Sequence, residues 1–270
     1  MTPNPAFDKT LRGLRVLRGL FFLLLIAGCT SHKAPVVPLP AYSEFVAARQ
    51  QAVPDAVLEI YGRYAVSQSG KTFRAGFNLL ALPGKNAYLE LLDAKGGLQY
   101  AVSLNPDQIG LLWGPEEQYI LEPATVQNLN KISGFSLNPD DLLMLICGYG
   151  LDFSQWQADK TRSDGWNLVR DPFHADLQMG KELARVNIKG PGGDVQTQYE
   201  DYKLIDNRSI PQTIIFKVPS QKITLQLTID KFLVRDEPPS ADLFDLQLPK
   251  DARHLQLQDL YKGKPLLLQR

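Results

Sequence analysis

The sequence predicts an α+β domain in which one large curved antiparallel sheet forms an incomplete, half-open β-barrel lidded by helices. Three observations lead there. Short segments of period-two alternation follow one another, separated by tight turns rich in Gly, Pro, Asn and Asp. Over residues 123–148 the apolar period changes to that of helices. Alternation then resumes and ends in its longest clean stretch, Lys222 to Val234.

Taken in order, Tyr42 to Gln51 reads as a short helix stopped by Pro54. Val57 to Ser67 and Lys71 to Leu82 form a hairpin about Gln68-Ser69-Gly70, with Phe73, Ala75, Phe77 and Leu79 on one face of the second strand. Turns at Pro83 to Asn86, Asp93 to Gly97, Asn105 to Asp107 and Gly114 to Glu117 divide the next strands, Ala87 to Leu92, Leu98 to Leu104, Ile109 to Trp113 and Gln118 to Leu121. Pro123 to Ile132 reads as a helix. Asn138-Pro139-Asp140-Asp141 then starts a second, with Asn at the cap, Pro at the first position and acids in the first turn. That helix is almost wholly apolar to Gly148, so it is expected to be buried on most sides. Strands are expected again at Gly165 to Val169, Leu183 to Lys189, Gln196 to Leu204 and Gln212 to Val218. About ten or eleven strands are expected in all.

The N-terminus carries a different signal. Lys9, Arg12, Arg15 and Arg18 precede seven unbroken apolar residues, Leu20 to Ile26, too few to span a bilayer. The run Leu25-Ile26-Ala27-Gly28-Cys29 resembles a bacterial lipobox, which implies cleavage before Cys29 and acylation of its thiol and amine. A triacylated cysteine holds a protein on a membrane, since each buried CH₂ contributes about 0.8 kcal/mol. Thr30 follows and no Asp occupies the next two positions, which by the sorting rule of enteric bacteria implies the periplasmic face of the outer membrane. The expected organisation is a signal peptide over 1–28, a lipidated Cys and Pro-rich tether over 29–41, a half-barrel domain over 42–234, and a surface-wrapping extension over 235–270.

Composition narrows the function. Without the signal the chain holds 25 basic and 28 acidic residues, so the clustered cations that bind nucleic acid are missing. Cys147 is then the one thiol left, placed in an apolar run that marks it as a core residue. His32, His174 and His254 stand apart from other ligand types, the Gly-rich stretches lack a strand-to-helix setting, and no nucleophile elbow occurs. Neither a metal, a cofactor nor an enzymatic activity is expected. The pair Asp140-Asp141 is read as a helix start whose side chains point apart. What remains is apolar surface: Phe73, Phe77, Tyr88, Tyr100, Trp113 and Phe216 recur on successive strands, and a curved sheet gathers such side chains on its concave side. Two readings follow, a lined cavity or a filled core.

The segments Ile60-Tyr61-Gly62-Arg63-Tyr64-Ala65, Phe73-Arg74-Ala75-Gly76-Phe77-Asn78 and Leu89-Glu90-Leu91-Leu92, with the lipobox and tether before them, resemble the LolA/LolB superfamily of periplasmic lipoprotein carriers. The nearest member type is LolB, the outer-membrane receptor, and the resemblance of pattern covers about residues 42–234. It implies an apolar cavity that holds acyl chains, lined here by Phe73, Phe77, Tyr88, Tyr100, Trp113, Leu143, Ile146 and Phe216. It implies as partners the acyl chains of a lipid or lipoprotein, the membrane through Cys29, and a soluble periplasmic carrier. LolB presents a Leu on an early-strand loop in an Asn-Pro-Leu-Gly context, whereas Lys95 occupies that place here, with Leu92 and Leu98 as the neighbouring residues that could substitute for it. The alternative is a non-catalytic, lipid-anchored structural or assembly-partner protein with a filled barrel.

Overall fold

A computed structural model describes residues 39–235, 240–261 and 266. The lipobox, Cys29 and most of the tether lie outside the described residues. The chain opens with helix α1 (Tyr42–Ala52), then a meander of β1 (Val57–Gln68), β2 (Lys71–Leu82), β3 (Asn86–Leu92), β4 (Leu98–Leu104), β5 (Gln108–Trp113) and β6 (Gln118–Pro123). Helices α2 (Val126–Ser133) and α3 (Pro139–Ile146) follow, and a second series completes the sheet: β7 (Gln157–Arg162), β8 (Gly165–Arg170), β9 (Phe173–Met179), β10 (Leu183–Gly190), β11 (Gly193–Glu200), β14 (Thr213–Val218) and β15 (Ile223–Arg235). A separate small hairpin, β12 (Lys203–Ile205) and β13 (Arg208–Ile210), projects between β11 and β14.

Fourteen strands make one sheet in the order β16-β6-β5-β4-β3-β2-β1-β15-β14-β11-β10-β9-β8-β7, where β16 is Arg253–His254. The ends of that order do not pair with each other, so the sheet is open rather than a closed barrel. All its pairings are antiparallel except β16 on β6. The two series join where β1 meets β15, from Val57 opposite Arg235 to Gln68 opposite Ile223. A register shift beside Gly62 bends this seam, and a Cβ there would lie 2.1 Å from the Thr228 carbonyl oxygen, which only glycine avoids.

One face of the sheet carries the core. Leu58 and Ile60 of β1, Phe77, Leu79 and Ala81 of β2, Ile109 and Leu111 of β5, and Ile214 and Phe216 of β14 all lie in one buried cluster. Period two places them together. Leu129 and Ile132 of α2 and Leu142, Leu143 and Leu145 of α3 belong to the same cluster, so both helices lie against the concave face. Asn138 takes the cap position of α3, yet its side chain accepts no bond from the first-turn amides and instead donates to the Asp141 carboxylate (3.4 Å). Gly148 ends the segment at φ +81°, with Pro211 and Ile214 packed where a side chain would stand.

The C-terminal segment does more than skirt the surface. Around Phe244 and Leu246 it lies over the convex face, where Leu246 meets Gly110 of β5. It then pairs with β6 through β16, forms the short helix α4 (Leu257–Leu260) and sends Leu257 and Leu266 into the concave core. Lys131 of α2 sits over the Tyr261 ring, 5.8 Å from its centre.

Candidate functional site

The concave face stays apolar to the end of the sheet where the β1–β2, β3–β4 and β5–β6 turns meet. Phe73 and Tyr64 share that face, with ring centres 5.8 Å apart. Leu91 of β3 faces Tyr100 of β4, which in turn faces Trp113 of β5, and the last two rings are 6.4 Å apart. Tyr64 donates to the Leu92 carbonyl (3.3 Å), and burial, with Tyr100 and Asp93 nearby, pushes its hydroxyl up to about 12. These four aromatic residues form a strip that starts in solvent at Phe73, 46 % exposed, and ends under the C-terminal segment. There Tyr100, Trp113, Glu116, Gln118, Leu255, Leu260 and Leu266 line a pocket of about 210 Å³.

Ligand pockets run from about 300 to 1,000 Å³, so this one accommodates the end of a chain and not a whole lipid. A wider groove of about 560 Å³ opens at the same end, lined by Arg63, Arg74, Asp93, Gln226 and Thr228 together with Tyr64, Ala65, Ala75, Gly76 and Ala94. Its lining is mixed, polar and apolar.

Of the eight residues expected to line a cavity, three gather at this mouth: Phe73, Tyr100 and Trp113. Phe77, Phe216 and Leu143 do not border open space. Each is at most 1 % exposed within the packed core, and the Phe216 ring stands 5.4 Å from that of Phe135. Around these three residues the sheet packs against α2 and α3. Ile146 is half-buried against the same core. Tyr88 is on the wrong face. It pairs with Leu80, one residue out of phase with the inward Leu79 and Leu89, and its hydroxyl donates to Glu90 (3.4 Å) on the convex side.

The sequence reading also missed Tyr64, Leu255, Leu260 and Leu266. Alternation with Ile60 carries the signal for Tyr64, and the spacing Leu255, Leu257, Leu260 carries it for the C-terminal segment. Asp140 and Asp141 do not point apart: both accept from Nη1 of Arg170, at 2.9 and 3.0 Å. Asp141 also accepts from Trp156 Nε1 (3.0 Å) and the Asp152 backbone (3.2 Å), which ties α3 to the loop before β7 and to β8. Lys95 is exposed in a turn closed by the Asp93 carboxylate, which accepts from the Lys95 and Gly97 amides at 2.7 and 2.8 Å. Burial pushes the Cys147 thiol up to about 12, so it stays protonated and unreactive at neutral pH. No group of three His, Cys, Asp or Glu side chains suited to a metal occurs among the described residues.

No family model matches the chain, and no curated protein matches it in sequence. Solved structures do match it in shape. A LolA superfamily protein of Nitrosomonas europaea aligns over 77 % of this chain and 99 % of its own, with TM-score 0.53 and 9 % identity. A putative outer membrane lipoprotein-sorting protein domain from Vibrio parahaemolyticus aligns over 75 % and 97 %, with TM-score 0.54 and 10 % identity. A DUF1329 family protein from Desulfovibrio piger aligns over 77 % and 97 %, with TM-score 0.53 and 11 % identity. An open antiparallel sheet with helices on its concave face, overlaid on nearly the whole length of each of these proteins, gives this chain a LolA-like fold.

Proposed function

We propose that this protein binds acyl chains on the concave face of its half-barrel, as a carrier or receptor in lipoprotein or lipid transfer, anchored to the periplasmic face of the outer membrane through acylated Cys29. The observation that carries the reading is the aromatic strip from Phe73 to Trp113, which continues the apolar interior out to solvent and into the pocket under Leu255, Leu260 and Leu266. The LolA-like fold and the name of the Vibrio parahaemolyticus neighbour, a lipoprotein-sorting domain, support it. The packed interior is the unloaded state on this reading, and a chain entering along the strip displaces α3 side chains such as Leu142 from the concave core.

Native mass spectrometry of the mature chain with Cys29→Ser, made in bacteria, is expected to show bound lipid. Phe73→Asp alters an exposed side chain, so stability should change by less than about 0.5 kcal/mol, while lipid occupancy falls severalfold. A chain that is bare before and after this change defeats the proposal. The complete burial of Phe77, Phe216 and Leu143 would then favour the second reading, a lipid-anchored assembly partner with a filled barrel. Anchoring is tested separately. Cys29→Ala is expected to move the protein from the membrane to the soluble fraction, and unchanged fractionation contradicts lipidation.

A further inference from the structure

Residues 253–261 cross the mouth of the half-barrel as a strap. Arg253 and His254 join one edge of β6 by a parallel pairing of two residues, whereas β5 holds the other edge along six. Two backbone bonds of 2.8 Å fix the strap there, from the Arg253 amide to the Glu117 carbonyl and from the Leu255 amide to the Tyr119 carbonyl. The chain then turns inward. The Leu257 amide donates to Oε1 of Glu122 (3.2 Å), the short helix α4 follows, and Tyr261 stops beneath the Lys131 ammonium of α2.

The side chains of the strap are sorted by face. Leu255 and Leu260 line the pocket beside Tyr100 and Trp113, and Leu257 is 2 % exposed in the concave core, while Gln256, Gln258 and Asp259 are exposed. Three leucines therefore meet the end of the aromatic strip with the methyl and methylene surface that an acyl chain would offer it. Few bonds hold them there. A short segment tied by so few backbone bonds opens at much less than the free energy of global unfolding, and opening leaves Tyr100 and Trp113 uncovered. A ligand chain restores the cover that the leucines gave.

We infer that in the unloaded protein the strap 253–261 occupies the place of the far end of an acyl chain, and that chain binding releases it. The release step rests on the acyl-chain reading above and adds an intrachain competitor to it. Competition of this kind makes the apparent affinity the intrinsic affinity multiplied by the fraction of molecules with the strap open. Loosening the strap then destabilises the free protein and tightens ligand binding at once. A residue that only supports the fold does not separate the two in this way.

The test uses the full mature chain with Cys29→Ser and titrates it with 11-(dansylamino)undecanoic acid, a fluorescent fatty acid. Leu257→Ser is expected to lower the melting temperature and yet to bind this probe severalfold more tightly. Tyr119→Cys with His254→Cys locks the strap instead: the two positions are register partners with rings 5.0 Å apart, on the face of β6 opposite Gln118 and the pocket. The oxidised double variant is expected to bind about tenfold more weakly than the same protein reduced. In the chain with neither change, amide hydrogen exchange over 253–261 is expected to quicken when the probe binds. Equal affinity of the oxidised and reduced forms, with exchange unchanged on loading, overturns the strap and leaves the acyl-chain reading standing. A folded Leu257→Ser protein that binds more weakly also overturns the strap, and if that variant does not fold, the oxidised and reduced pair decides. Absence of binding by every form overturns both the strap and the acyl-chain reading.

Discussion

Phe77→Asp is expected to abolish cooperative folding, seen as the loss of a thermal transition by circular dichroism. Phe77 is 1 % exposed at the middle of β2, and its ring packs against Gly62 at the bend where β1 meets β15. Removing a buried phenyl ring costs about 3–5 kcal/mol. An ionised carboxylate left in the same place costs several more, or is avoided only by protonation. Together these approach the whole stability of a domain, about 5–15 kcal/mol. Phe77→Leu keeps most of the apolar volume and should retain a cooperative transition at lower temperature. A Phe77→Asp protein that melts like the wild type would show that this residue faces solvent.

The second large effect is expected at Arg170. Asp141 is 1 % exposed, and Nη1 of Arg170 is the one cationic group paired with it among the described residues. Arg170→Ala leaves a buried carboxylate with neutral donors only, a loss of about 3–5 kcal/mol. Denaturant titration at neutral pH measures it directly. The pH dependence has a definite sign. Burial raises the Asp141 carboxyl from 3.8 to about 6, against the pull of Trp156, Arg170 and Asn138, so the folded state holds its proton more tightly than the unfolded state. This group's contribution is therefore fully present below about pH 4 and is lost as pH rises through 6, by at most about 3 kcal/mol. In Asp141→Asn that slope between pH 4 and 6 should flatten, and an unchanged slope would assign it to other groups.

Much of the architecture is legible in the sequence because alternation is a local property. The boundaries of β2 and β4 follow from their side chains, and so does the inward set Ala75, Phe77 and Leu79. Strand β9 also alternates, with Phe173, Ala175 and Leu177 inward, but its His174 and Asp176 conceal it in a polar stretch. Strand β7 carries no such signal: Gln157 to Arg162 is an edge strand exposed along nearly its whole length, so nothing in it needs to alternate. The contents of the half-barrel are a different matter. Whether Phe216 lines a void or touches Phe135 depends on how far α2 and α3 settle onto the sheet, and that distance is set by volumes summed over elements remote in sequence. The mouth depends likewise on residues beyond 250, which return to the concave face only after crossing the convex one.

The seam between β1 and β15 governs when this molecule can be born as well as how it stands. Arg63 and Asp230, an ion pair across it, are 167 positions apart. A chain that emerges N-terminus first can close the β1–β2 hairpin at once, but β1 keeps one open edge until nearly the last strand has appeared. Closing so long a loop makes folding slow, and an unpaired apolar edge invites pairing with another copy in the meantime. The architecture thus leaves a strand edge exposed during folding that the finished sheet covers.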